Sequence, residues 1–179
     1  MKESWSEIFE SVIKSEGGFV DHPSDPGGMT NLGVTRAVYS RWLGRETTET
    51  EMRNLTKEDV SPIYKQWYFD AINGDDLPSG IDYSVCDIAI NSGPNRAAKM
   101  LQKCVGAQPD GAIGPMTLQA VSDSDSAEVV ERLADVRQKF YEGLKTFETF
   151  GKGWTRRNKE VREHSLEMIN GPAKKAKKR

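Results

Sequence analysis

The stretch Ser15-Glu16-Gly17-Gly18-Phe19-Val20-Asp21-His22-Pro23-Ser24-Asp25-Pro26-Gly27-Gly28-Met29-Thr30-Asn31-Leu32-Gly33-Val34-Thr35 decides how this chain is read. It places an acid at a helix end, then a turn-rich loop with two more carboxylates, then a short Thr/Asn/Gly segment leading into another helix. Upstream, Ile8, Phe9, Val12 and Ile13 recur at helical spacing and give one apolar stripe. Ser4 and Glu7 have the spacing of a capping box that would start this helix. Gly17-Gly18 would end it, because glycine accepts the left-handed conformation of a C-cap. Glu16 then falls on the last turn, where the negative end of the helix dipole disfavours an ionised carboxylate. A carboxyl group that stays protonated is what a general acid requires.

Eight residues separate Glu16 from Asp25, and four separate Asp25 from Thr30. This is similar to the Glu-x8-Asp-x5-Thr arrangement of phage-type lysozymes, one residue short before the Thr; Asn31 stands where strict spacing would put it. Glu16-Gly17-Gly18-Phe19, Asp25-Pro26-Gly27-Gly28 and Thr30-Asn31-Leu32-Gly33-Val34-Thr35 more closely resemble the N-terminal signature of glycoside hydrolase family 108, whose members are N-acetylmuramidases, phage endolysins among them. The resemblance continues through Asp87-Ile88-Ala89-Ile90-Asn91-Ser92-Gly93 and through the terminal elements Phe140-Tyr141 and Gly153-Trp154-Thr155-Arg156-Arg157. It implies a mainly α, lysozyme-like fold with a small β-hairpin or extended element beside the catalytic cleft, and it implies that Glu16 is the catalytic acid. A second signature, Leu101-Gln102 through Asp110-Gly111, Ile113-Gly114-Pro115 and Thr117-Leu118, looks like the pattern of small helical peptidoglycan-binding modules. The expected organisation is a catalytic muramidase region over 1–92, a helical peptidoglycan-binding-like region over 93–170 packed in the same globule, and a basic tail over 171–179.

The enzyme so implied hydrolyses the β-1,4 bond between N-acetylmuramic acid and N-acetylglucosamine and lyses bacterial cells. Glu16 would protonate the leaving oxygen. Asp25 would orient a water as base or stabilise positive charge developing on the sugar. Thr30 and Asn31 have the hydroxyl and amide needed to position that water. Tyr64, in the aromatic stripe Ile63-Tyr64-Trp67-Tyr68, is either core or the floor of a sugar cleft. Asn91 either caps a turn or turns its amide to the sugar. A lytic transglycosylase and a non-catalytic peptidoglycan-binding protein are the alternatives, separated by product mass and by release of reducing ends.

The rest of the chain bounds this reading. A chain of 179 residues with 36% hydrophobic and 29% charged residues suits a water-soluble domain or two small lobes. No apolar run approaches the roughly 20 residues of a membrane span. Residues 1–10 carry no signal-peptide core, so synthesis in the cytoplasm is expected, with action on the wall or periplasm after release, for example through a holin. Lys174, Lys175, Lys177, Lys178 and Arg179 concentrate positive charge at one end and leave the body acidic. That argues against nucleic acid as a partner and for an anionic envelope surface as one. Peptidoglycan glycan strands are the expected substrate, a monomer is expected, and no protein partner is required. His22 and His164 are the only histidines and form no zinc motif; no metal or organic cofactor is expected. Cys86 and Cys104 read as buried free thiols or, after export, as a disulfide.

Between these landmarks, Thr35 and Thr56 are the expected N-caps of two helices, and Arg45 to Arg53 is expected to be a surface connection. A helix over about 82–91 is apolar enough to lie at the centre. The longest helix is expected from Ser126 to about Phe147, and a final one from near Arg156 to Ile169.

Overall fold

The structure, a computed structural model, describes residues 2–21 and 28–171. It is mainly helical with one small antiparallel sheet, the expected lysozyme-like class. The chain forms two compact units, residues 1–67 and 68–179.

In the first unit, α1 (Lys2–Ser15) packs its apolar stripe against α4 (Lys57–Tyr64). Ile8, Val12, Val60 and Ile63 are essentially inaccessible, and the Phe9 ring lies 6.0 Å from that of Tyr64. Trp5 Nε1 reaches Ser61 Oγ at 3.3 Å. The helix already includes Lys2, so Ser4 lies inside it rather than capping it. Gly17 and Gly18 follow its end, but neither has a positive φ; the helix stops there without the left-handed cap that the sequence led us to expect.

Three short strands follow: β1 (Val20–Asp21), β2 (Met29–Asn31) and β3 (Val34–Thr35), in the order β1-β2-β3. Val20 pairs with Thr30 and Asp21 with Met29; Thr30 pairs with Thr35 and Asn31 with Val34. Thr35 accepts from Val38 N at 3.2 Å and caps α2 (Arg36–Leu43), which Gly44 ends at φ 72°. The expected connection over 45–53 is in part a helix, α3 (Glu49–Arg53). Thr48 and Glu51 form a reciprocal capping box there, and its Met52 is fully buried. A second such box, Thr56 with Asp59, starts α4. The helix then widens into a π turn over Lys65–Phe69 and tightens into a 3-10 turn over Asp70–Ile72.

The second unit is built around α5 (Ile81–Ser92), in which every residue from Ile81 to Ala89 is buried. Full burial of side chains such as Ile81, Val85 and Ile88 is worth about 1.5–3 kcal/mol each. Around it pack α6 (Pro94–Val105), α8 (Ser126–Glu142) and α9 (Phe147–Asn170), while α7 (Pro115–Ser122) packs on α6. The Gln102 amide, fully buried on α6, fastens the Asp110-Gly111 turn: Nε2 donates to Asp110 Oδ1 at 2.8 Å and to Ala112 O at 2.9 Å, and Oε1 accepts from Gly111 N at 3.0 Å. Asn73, at φ 51°, donates its side-chain amide to the carbonyl of Ile113. The adjoining Gly74 leaves room for the Phe69 ring, which a Cβ would meet at 2.5 Å.

The helix expected from Ser126 to about Phe147 ends early, and the expected final helix starts early and is the longer of the two. α8 stops at Glu142, and α9 begins at Phe147 and runs without interruption through Gly151 and Gly153 to Asn170. Gly151 is there for packing, since a Cβ would stand 2.6 Å from a Phe147 ring carbon. Cys86 and Cys104 are free and buried. Burial, reinforced by the Asp87 and Asp82 charges, pushes the Cys86 thiol well up from its ordinary value, so it stays protonated. Among the described residues no helix is long and apolar enough to cross a membrane.

Candidate active site

Glu16 follows α1 directly and is half-buried, its N–H donating to Ile13 O at 3.2 Å. What faces its carboxyl group is set by the connection between β2 and β3. Register fixes that connection at two residues, Leu32 and Gly33, with φ of 50° and 77°. Two consecutive positive φ values are those of a type I′ hairpin turn, which favours Asn-Gly or Asp-Gly. Leucine in the first position is strained, at a cost of roughly 1–3 kcal/mol. The turn is held on both sides: Leu32 N–H donates to Gly17 O at 3.1 Å, and Tyr64 Oη donates to Leu32 O at 2.9 Å.

Gly33 is required twice over. Its φ suits glycine, and a Cβ there would stand 2.6 Å from Glu16 Oε2, 2.8 Å from Glu16 Cδ, and still nearer the Tyr64 hydroxyl. The Glu16 carboxyl group therefore rests directly against the bare Gly33 α-carbon, with the Tyr64 hydroxyl beside it.

The other expected site residues are distributed unevenly. Thr30 is half-buried in β2. Asn31 is 6% exposed, and its Nδ2 donates to Met52 O at 2.9 Å, tying β2 to α3. Tyr64 is 3% exposed and set beside Phe9, so its ring offers little face to a sugar; its hydroxyl supports the turn. Trp67 is half-buried, unlike Tyr64, with the Arg41 guanidinium 5.2 Å above it and Trp42 edge-on at 5.9 Å. Asn91 belongs to the second unit and bonds back along its own helix, Nδ2 to Asp87 O at 2.8 Å. Asp25 lies outside the described residues. Leu32 and Gly33 were not singled out as site residues by the sequence; two residues between Thr-Asn and Val-Thr were the signal.

The second unit holds a carboxylate of another kind. Asp87, 1% exposed, has Arg137 Nη1 at 2.7 Å from Oδ2, too poorly aligned for a hydrogen bond, and Arg157 Nη2 at 2.5 Å from Oδ1. Arg137 Nε donates to Tyr141 Oη at 2.8 Å. Burial, with the Asp87 charge added, pushes the Tyr83 phenol up to about 12.

A mainly helical chain with a half-buried carboxyl group at a helix end, pressed against a tight hairpin, is the arrangement expected of a lysozyme-like glycoside hydrolase. The family described as "Glycosyl hydrolase 108" matches residues 9–93, and "Predicted Peptidoglycan domain" matches residues 96–159. The solved structure titled "Structure of Brucella abortus SagA" is similar over 97% of this chain and 99% of that one, with 45% sequence identity and a TM-score of 0.85. No curated protein matches. The chain belongs to the glycosyl hydrolase 108 family. It is accordingly a peptidoglycan hydrolase, an N-acetylmuramidase, and peptidoglycan is its substrate.

Proposed function

We propose that Glu16 is the proton donor with which this muramidase cleaves the glycan strand, that Asp25 is its second carboxylate, and that the Thr30 hydroxyl orients the attacking water. The observation that carries the first assignment is the seat of the Glu16 carboxyl group against Gly33 and beside a neutral phenol. A general acid must stand at a fixed place and hold its proton until the glycosidic oxygen takes it. Asn31 contributes by fixing β2 to α3, and Asn91 by bonding back to the Asp87 carbonyl within α5. Trp67 is the aromatic ring we assign to the sugar.

Glu16→Gln keeps the shape and removes the proton. Lysis of purified peptidoglycan should fall by about a hundredfold or more while the fold is retained, and a folded variant that lyses at the wild-type rate would refute the assignment. For Asp25, the Asn variant should be nearly inactive if the carboxylate is catalytic; full activity in a folded Asp25→Asn protein would exclude it. The wild-type fragments should carry ordinary reducing ends by mass, not the anhydro ends of a transglycosylase.

Cell lysis after release to the wall is the cellular role we assign, with the basic tail as an electrostatic guide. Residues 173–179 lie outside the described residues. Near an anionic surface each Lys or Arg adds on the order of 1 kcal/mol at low salt, so deleting 173–179 should weaken binding to intact envelopes there and leave cleavage of soluble glycan fragments unchanged. Equal envelope binding with and without the tail would remove that role.

A further inference from the structure

We propose that Tyr64 is a positioning residue that aligns the Glu16 carboxyl group through the Leu32-Gly33 turn; the inference rests on the reading of Glu16 as the proton donor. Tyr64 is almost wholly buried, and its ring is held beside Phe9, so its hydroxyl has a fixed origin. That hydroxyl gives its proton to the Leu32 carbonyl. A phenol has one proton to give, so toward any further neighbour its oxygen acts as an acceptor. The neighbour is Glu16: Tyr64 Oη and Glu16 Oε2 both lie within 2.6 Å of the single point where a Cβ of residue 33 would stand. The same bond braces the strained Leu32, whose N–H is tied to Gly17 O, one residue beyond Glu16. Backbone on one side and phenol on the other thus set where the acid group points, and a misplacement of about 1 Å costs on the order of a hundredfold in rate.

The test uses Tyr64→Phe, which keeps the ring and removes one oxygen, and Gly33→Ala, which puts a methyl group where the carboxyl group rests. Both are assayed on soluble glycan fragments alongside thermal unfolding. Tyr64→Phe should lower kcat about tenfold or more with KM within about twofold, the signature of a contact that matters in the transition state. Gly33→Ala should lose at least as much. In a Glu16→Gln background, Tyr64→Phe should leave the residual rate where it is, because the group it aligns is already gone. Wild-type kcat for Tyr64→Phe overturns the proposal. So does an equal further loss in the Glu16→Gln background, or a loss that cooling the assay restores, since instability would then be the cause. Wild-type turnover by Glu16→Gln alone would instead defeat the reading of Glu16, whatever Tyr64→Phe does.

Discussion

Glu16 and Asp87 are the same functional group in opposite settings. Asp87 sits on the central helix of the second unit, 1% exposed, with two guanidinium groups against it. Glu16 sits just past the end of a surface helix, half-buried, against a bare α-carbon and a phenol. The two arginines make Asp87 a fastener between helices. Glu16 is the group proposed to give a proton to the sugar. The contrast sets a structural acid beside the proposed catalytic one.

The comparison is broken most forcefully at Asp87. Asp87→Asn leaves two arginines facing a neutral amide, and losing one partner of a buried ion pair costs about 3–5 kcal/mol. Denaturant unfolding should register that loss; a midpoint like wild type would mean that the cluster is not the fastener described. Glu16→Gln should show the reverse pattern, with activity down about a hundredfold and unfolding free energy within roughly 0.5 kcal/mol of wild type. If either variant shows the other's pattern, the distinction fails.

A smaller effect sharpens the comparison at the turn. Asparagine adopts the left-handed conformation far more readily than leucine, so Leu32→Asn should gain up to about 1 kcal/mol of stability, read from the same denaturant curves. A loss would show that the half-buried Leu32 side chain outweighs the strain of its backbone.

The smallest effect concerns the exposed Glu51, which caps the helix that Asn31 holds. Its hydrogen bond to Arg45, helped by the Thr48 N–H, lowers its carboxyl from the ordinary 4.5 to about 2. A folded value below the unfolded one adds stability that is present above pH 4.5 and lost as pH falls toward 2. Glu51→Gln should therefore narrow the difference in stability between neutral pH and pH 2, slightly because the group is exposed. An unchanged pH profile would mean that solvent screens the pair completely.

Features written in neighbouring residues were legible in the sequence. The Thr35 and Thr56 caps, the stop at Gly44 and the apolar run of α5 all depend on chemistry within a few positions. So did Glu16 at the end of its helix. α3 was missed because one buried residue in five, Met52, leaves hardly any periodicity, although Thr48 and Glu51 already spelled its cap. The first turns of α9 were hidden because Gly151 and Gly153 read as breakers, whereas the Phe147 ring, one turn earlier, packs over the bare Gly151 within the helix. The type I′ turn was hidden by leucine where asparagine is usual. The partners of Asp87 were not legible at all: Arg157 is 70 residues away, and nothing near either residue announces the pair.

Asn73 and its bond to Ile113 also bear on how the protein ages. Asparagine followed by glycine is the sequence most prone to deamidation, in which the next backbone nitrogen attacks the side-chain amide to form a succinimide. The chain has two such pairs, Asn73-Gly74 and Asn170-Gly171. In the first, the amide is engaged by a carbonyl forty residues away in sequence, and the glycine is enclosed beneath Phe69. In the second, the asparagine is the exposed last residue of α9, and the glycine has open space around it. Stored protein should accumulate isoaspartate at residue 170 well before residue 73, and deamidation at residue 73 should be an early chemical mark of a chain that has begun to unfold.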